Sequence, residues 1–314
     1  SAAPWIGCII LVVLGAKMLY EAISAEEEEE EEQATEEDLA EDFPSIGTLA
    51  KGQTLKGNGS GTLVSNLHLG AASMPGDGTI GKIYKEAGQK KPYTEYLGLF
   101  CEISGTVSNL TLKDPVLSLD DTGQDGGKFQ HLAGVGILCG RSEGALTDIS
   151  VQWTKKEQKT VEVMLADRND TGEAGRGNVC GIGGIVGILG KKEADGSLTA
   201  LTADTFTPKI SGLTMNGSIS GRLPKPNAVI AGGNVEEEAG QYQYGIGGIF
   251  GYAHIGGDVK VEACENHADV TGNLFTGGIG GHLNGSYLSS SSFKAQSGSV
   301  VSDMKDCSND GLIL

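Results

Sequence analysis

Internal repetition constrains this chain more than any other feature. "VSNLHL" at 64–69 returns as "VSNLTL" at 107–112. The same apolar-x-x-apolar core recurs as Leu146/Ile149, Ile210/Leu213, Val261/Cys264 and Met304/Cys307. Counted from Val64 and Val107, the leading residues of successive copies lie 43, 39, 64, 51 and 43 positions apart. Ahead of several copies stands a glycine-rich signature: "LGLFCEI" from Leu97, "GVGILCG" from Gly134, "GGIVG" from Gly183, "GGIFG" from Gly247 and "GGIGG" from Gly277. Short polar closures such as "NGSISG" and "ENHADVTG" follow. Self-similarity of this kind marks a repeat architecture, in which one unit cannot bury a face alone and its neighbours complete it.

Composition says what kind of unit this is. The chain has 50 glycines, 8 prolines and only 5% aromatic residues, with no Gly-X-Y period, which excludes collagen. Short Val/Ile/Leu clusters between Gly, Ser, Thr, Asn and Asp read as many brief strands joined by turns. The expected fold over residues 46–314 is therefore all-β: an irregular parallel β-solenoid, or β-helix, whose coils stack about 4.8 Å apart around an apolar column. Alternation within "VSNLTL" points Val107 inward and small polar residues outward or into a corner. Glycines belong where the chain bends sharply or packs closely. Residues 152–178, 190–208 and 221–241 read as insertions looping from one side.

This pattern resembles the GLUG-type repeats of bacterial surface proteins, which join a Gly-Gly-hydrophobic-x-Gly strand to a later Cys-x-Asn and Val-x-Gly. The clearest copies are Gly247–Gly251 with Cys264, Asn266, Val270 and Gly272, and Gly277–Gly281 with Cys307 and Asn309. Earlier copies lose the cysteine, and "GILCG" reads as carrying an extra residue. The resemblance covers about residues 46–314 and implies an architecture rather than a chemistry.

The N-terminal part is different. "WIGCIILVVLGAKMLY", Trp5–Tyr20, is apolar apart from Lys17 and, continued to Ile23, rises about 28 Å as a helix, close to a hydrocarbon core. Pro4 suits a first helical turn, and Trp5 and Tyr20 suit the two interfaces. Residues 1–24 are expected to form a transmembrane or anchoring helix, contacting membrane through residues 5–23; a buried core helix or the apolar part of a signal peptide is the alternative. Residues 25–45, with Glu26–Glu32 at their centre, read as an acidic, disordered linker. "WIGCIILVVLGAKMLYEAISAEEEEEEE", residues 5–32, resembles the third transmembrane helix and acidic loop of manganese efflux pumps. Those pumps have six helices and membrane aspartates. Here there is one such helix with no intramembrane aspartate, so the resemblance supplies no ion-binding residue. The missing initiator methionine fits a fragment or a fusion.

Charge and motifs exclude several function classes. Residues 1–45 hold thirteen acids against Lys17, or -12 of the formal -18, leaving about -6 for the repeats. Nothing is basic enough to follow a nucleic-acid backbone, so no nucleic-acid partner is expected. The six cysteines (Cys8, Cys101, Cys139, Cys180, Cys264, Cys307) contain no CxxC and are read as small buried hydrophobes. "GDGTIG", Gly76–Gly81, matches GxGxxG but lacks the preceding hydrophobic strand, and Ile83 stands where a Walker loop needs Ser or Thr. "GRSEG" around Ser142 matches a nucleophile elbow, yet it falls where the repeat has a loop. The five histidines (His68, His131, His254, His267, His282) form no HExxH. "DDTGQDGG", with Asp120, Asp121 and Asp125, has Gly123 at the third position and no twelfth-position Glu, which reads as a solvated turn. No catalytic, cofactor or metal residue is assigned.

The function expected from the sequence is that of a non-enzymatic, membrane-anchored cell-surface module, an adhesin or stalk whose partner is a host or matrix glycan or protein. The alternatives are a polysaccharide-acting β-helix enzyme and an accessory region of a surface metallopeptidase whose catalytic part lies elsewhere. The enzyme reading requires Asp120, Asp121, Asp258 and Asp269 to bring two carboxylates within about 10 Å of each other.

Overall fold

The computed structural model describes residues 45–58, 62–70, 83–86, 89–92, 96–120, 122, 132–155, 159–166, 179–192, 198–199, 201, 209–224, 243–255, 259–285 and 304–314. The expected helix of residues 1–24 lies outside them, as does the acidic linker save Ser45. Among the described residues there is no helix, so none is long and apolar enough to cross a membrane. All strand pairing is parallel except for two small hairpins, Ile83–Glu86 with Gln89–Pro92 and Lys191–Lys192 with Leu198–Thr199.

Four parallel sheets are built by the chain passing round repeatedly and adding to each sheet in turn. The first sheet takes Tyr96–Leu97, Gly134–Val135, Val179–Gly183, Gln243–Gly247 and Thr276–Gly277. The second starts earlier, at Thr48–Leu49, and continues with Phe100–Ile103, Cys139–Ser142, Val186–Leu189, Phe250–Ile255 and Gly280–Gly285. The third runs through Thr106–Lys113, Ala145–Gln152 and Lys209–Met215, and the fourth through Val116–Asp120, Val161–Met164, Ser218–Arg222 and Asp269–Gly272. The result is a stack of six coils, beginning near residues 48, 96, 134, 179, 243 and 276. This is the arrangement a β-solenoid requires.

Side chains stack by register. Val107 pairs with Leu146, Leu146 with Ile210, Ile210 with Val261 and Val261 with Met304, the first four fully buried. The apolar-x-x-apolar spacing has a backbone cause. Between its two apolar members, one residue in each of five consecutive coils is left-handed: Asn109 (φ 56°), Asp148 (54°), Gly212 (65°), Ala263 (50°) and Asp306 (53°). A left-handed residue turns the strand and resets its alternation, so Val107 and Leu110 both face inward although three positions apart. Asn, Asp and Gly tolerate that conformation best, which accounts for four of the five.

Register also corrects the sequence reading of the first coil. "VSNLHL" is not the structural counterpart of "VSNLTL". Val64 pairs with Leu112, and Val107 instead pairs with Leu55. Each hexapeptide carries a left-handed asparagine (Asn66, φ 54°, and Asn109), but at successive corners of the coil. Nor do the excursions leave from one side. The chain departs between fourth-sheet and first-sheet strands at 70–96, 120–134, 164–179 and 222–243, and between second-sheet and third-sheet strands at 189–209 and 285–304.

Each glycine of "YGIGGIFGY" answers a steric demand. The outer faces of the first and second sheets meet backbone to backbone, so a Cβ on Gly245 would run into the Gly251 carbonyl, as one on Gly181 would into Gly187 and one on Gly134 into Gly140. Gly247 sits against the Phe250 carbonyl inside the corner. Gly248 lies over Asn266, and Gly278 over Asn309. These two asparagines form a ladder: Asn266 Nδ2 donates to Asn309 Oδ1 (2.7 Å) and to Ala268 O (2.8 Å), and Asn309 Nδ2 to Gly311 O (2.9 Å).

"GILCG" carries no extra residue. Val135 and Cys139 pair with Ile182 and Val186, so the segment has the length of the later copies, with Ile137 in the place of Gly184. The shorter copy is "LGLF", because Leu97 and Phe100 pair with Val135 and Cys139. Space explains the exchange. A Cβ on Gly184 would run into the Gly248 carbonyl and lie 2.9 Å from Met215 Cγ and Sδ, whereas the register partner of Met215 in the third coil is the smaller Val151. Val151→Met is expected to destabilise the protein by about 1–3 kcal/mol through overpacking. Adding Ile137→Gly reproduces the fourth-coil pairing and should recover about 1 kcal/mol or more in a double-mutant cycle read by denaturant unfolding.

Candidate functional site

Among the described residues, a group of ionisable side chains lies on the outer face of the second sheet, where register sets Glu102, Arg141, Ile188, Tyr252 and His282 in one row across five coils. Ile188 and Tyr252 are fully buried there and, with Tyr96 and Cys101, form an apolar cluster separate from the main core. Arg141 is only 3% exposed. Its Nη2 lies 3.1 Å from Glu102 Oε2, and its Nη1 lies 3.0 Å from Glu143 Oε2 and donates to Gly190 O (2.8 Å). The guanidinium also stands 5.7 Å from the Tyr96 ring centroid. Burial would lower the Arg141 pKa, but Glu102, then Tyr96 and Glu143, outweigh it and hold it above its ordinary value. Arg141 thus ties the second coil to the third and, through Gly190, to the start of the 189–209 excursion. With two carboxylates on one cation, the group presents no net positive charge to an anion.

Ser142, next to Arg141, is not a nucleophile at an elbow. It ends a strand that turns into another strand, Ala145–Gln152, rather than into a helix. Its Oγ, fully buried, donates to Ile103 O (3.3 Å) and accepts from Gly144 N–H (3.2 Å).

The two candidate carboxylates within the described residues, Asp120 and Asp269, do not converge. Asp120 lies in the second coil and Asp269 in the fifth, three coil spacings or about 14 Å apart along the stack. Each is engaged locally. Asp120 Oδ1 accepts from Thr122 N–H (2.9 Å) and Oγ1 (2.6 Å), which lowers its pKa, and Asp269 Oδ1 accepts from Leu312 N–H (2.9 Å). Asp121, Asp125, Asp258 and Gly76–Gly81 lie outside the described residues. Among the described residues no three His, Cys, Asp or Glu side chains are grouped as metal ligands would be.

Three histidines sit in the fifth and sixth coils. Burial lowers the pKa of His254 and of His282; His282 stacks on Phe275 (centroids 5.3 Å) and meets Tyr252 edge-on (5.3 Å). His267 is different. Its Nδ1 is 2.7 Å from Asp310 Oδ1 in the next coil, and its Nε2 is 3.5 Å from Glu265 Oε2. The two carboxylates address opposite ring nitrogens, so they cannot share one metal with the ring. The hydrogen bond to Asp310 raises its pKa. As for the cysteines, Cys101, Cys139, Cys180 and Cys264 are buried and Cys307 is half-buried, matching the hydrophobe reading; Cys8 lies outside the described residues.

Sequence reasoning missed Arg141 altogether. The available signal was an isolated arginine in an otherwise apolar strand, with a glutamate two residues on and another in the preceding copy. Comparison with known proteins finds no matching family model, no matching curated protein and no matching solved structure.

Two outcomes are expected. Arg141→Met should cost about 1–3 kcal/mol in denaturant unfolding, below the range for a fully buried pair because both carboxylates reach solvent. For His267 the folded pKa is raised, so its stabilisation is full below its ordinary pKa of about 6.5 and is lost as pH rises through the higher folded value. The protection factors of the amides at residues 308–314, corrected for base-catalysed intrinsic exchange, should therefore fall over that window, and His267→Gln should remove that fall.

Proposed function

We propose that residues 46–314 are a GLUG-type β-solenoid serving as a non-enzymatic cell-surface adhesion or stalk module, tethered to the membrane through residues 5–23. The observation that carries this reading is the repeated departure of the chain from one corner. In four consecutive turns of the stack, at 70–96, 120–134, 164–179 and 222–243, the segment between fourth-sheet and first-sheet strands is an excursion. Successive excursions are rooted about 4.8 Å apart along a rigid axis. Variable segments on a regular scaffold are where binding specificity is built, and several side by side bind multivalently. The partner is a glycan or protein of a host surface or matrix. Supporting this, Arg141, Ser142, Asp120 and Asp269 are engaged in local bonding.

The test is an array of host glycans and matrix proteins probed with the full chain, and again with chains whose excursions are replaced one at a time by the tight Gly272–Thr276 connection. Binding to a defined target, weakened by each replacement, is the expected result. A blank array at high protein concentration would sink adhesion and leave a stalk.

A further inference from the structure

Cys264 and Cys307 occupy opposite positions in adjacent coils. The pairs on one side of them are Val261↔Met304 and Glu262↔Lys305, and on the other Glu265↔Ser308 and Asn266↔Asn309. Ser308 N–H donates to Cys264 O (2.9 Å), which locks that register between the two cysteines. Opposed residues of a parallel ladder stand about 4.8 Å apart, inside the roughly 4.4–6.8 Å over which Cα atoms accept a disulfide. The sulfurs face the same interior: Cys264 is fully buried in the core and Cys307 packs against it. Cys264 Sγ donates to Glu262 O (3.5 Å), and Cys307 Sγ lies 3.5 Å from Lys305 O and reaches back to within 3.6 Å of Val261 O in the fifth coil.

The other described cysteines have no such relation. Cys101 and Cys139 also belong to neighbouring coils, but Cys139 pairs with Phe100, and the two thiols lie in separate clusters on opposite faces of the sheet. Cys180 pairs with Tyr244.

We propose that Cys264 and Cys307 are a covalent cross-linking site, converted by a small-molecule disulfide into a bond that fastens the sixth coil to the fifth. Cys307 is the one a reagent can reach. Its thiolate attacks the reagent disulfide, forming a mixed disulfide and releasing one reagent thiol that carries the proton. The Cys264 sulfur then displaces the second reagent thiol, which takes the Cys264 proton, and the protein S–S bond closes. The two cysteines are oxidised together and one reagent disulfide is reduced to two thiols.

The sixth coil is where such a bond matters. Of the large apolar side chains that are exposed, Phe275, Leu283, Met304, Leu312, Ile313 and Leu314 belong to it, against Leu63 alone elsewhere among the described residues. Its strands have a described neighbour on one side only. The proposal is independent of what the excursions bind.

The experiment treats the folded full chain with oxidised glutathione, alkylates free thiols, and maps the tryptic peptides. Cleavage after Lys260, Lys294 and Lys305 places Cys264 in 261–294 and Cys307 in 306–314. The expected product is these two peptides joined and two hydrogens lighter than their sum, with Cys101, Cys139 and Cys180 alkylated after unfolding. In the oxidised chain, amide exchange over residues 304–314 should slow about tenfold or more, and Cys307→Ser, a small change at a half-buried position, should abolish both effects. Glutathione retained on Cys307, both thiols alkylated, a link to another cysteine, or unchanged exchange in the linked chain would each overturn the proposal.

Discussion

Everything in this fold depends on one coil satisfying the backbone of the next. Outside the two small hairpins, the strands, two to eight residues long, pair not within their own coil but with the coils above and below. The corner between the first two sheets shows how continuous this is. Leu99 N–H donates to Ile137 O, Leu138 N–H to Ile185 O, Ile185 N–H to Ile249 O and Ile249 N–H to Ile279 O, at 2.9–3.1 Å throughout. Such a ladder requires each coil to follow the path of its neighbour closely. The glycines, the left-handed residues and the stacked aliphatic columns are the chemical means of meeting that requirement.

How much of this could be read from the residues depended on whether a signal was local or lay between coils. Stacking of Val107, Leu146 and Val261 was legible because the apolar-x-x-apolar pattern that each begins survives every insertion. Misplacing "VSNLHL" shows the limit. Apolar-Ser-Asn-Leu encodes a left-handed corner, and the coil has more than one such corner, so like sequences occupy unlike positions. Ile137 was misjudged for a related reason: the residue that makes room for it, Val151, is distant in sequence and adjacent only after folding. The Arg141 group was invisible for the same reason, its partners Glu102 and Gly190 coming from other passes of the chain.

The side chains that most resemble chemistry in the sequence serve architecture in the structure. Ser142 holds a turn, Asp120 caps one, Asp269 receives the last coil, and Arg141 joins two coils to the root of an excursion. Variation is confined to the segments between strands, and the strands themselves keep their register through excursions of very different length, as between Ser142–Ala145 and Leu189–Lys209. A scaffold of that kind can change what it carries without changing what it is.

The asparagine ladder has a consequence for how such a chain can evolve. The column that is Leu112, Val151 and Met215 in earlier coils becomes Asn266 and Asn309 in the last two, and each asparagine lies under a bare glycine of its own coil. A coil therefore fits one kind of neighbour and not another. Duplication or deletion by recombination would succeed at a boundary between two coils of like column chemistry and fail where an amide met an aliphatic side chain. The inherited unit is thus the matched interface rather than the single repeat, and the order of the coils is written into the protein's interior.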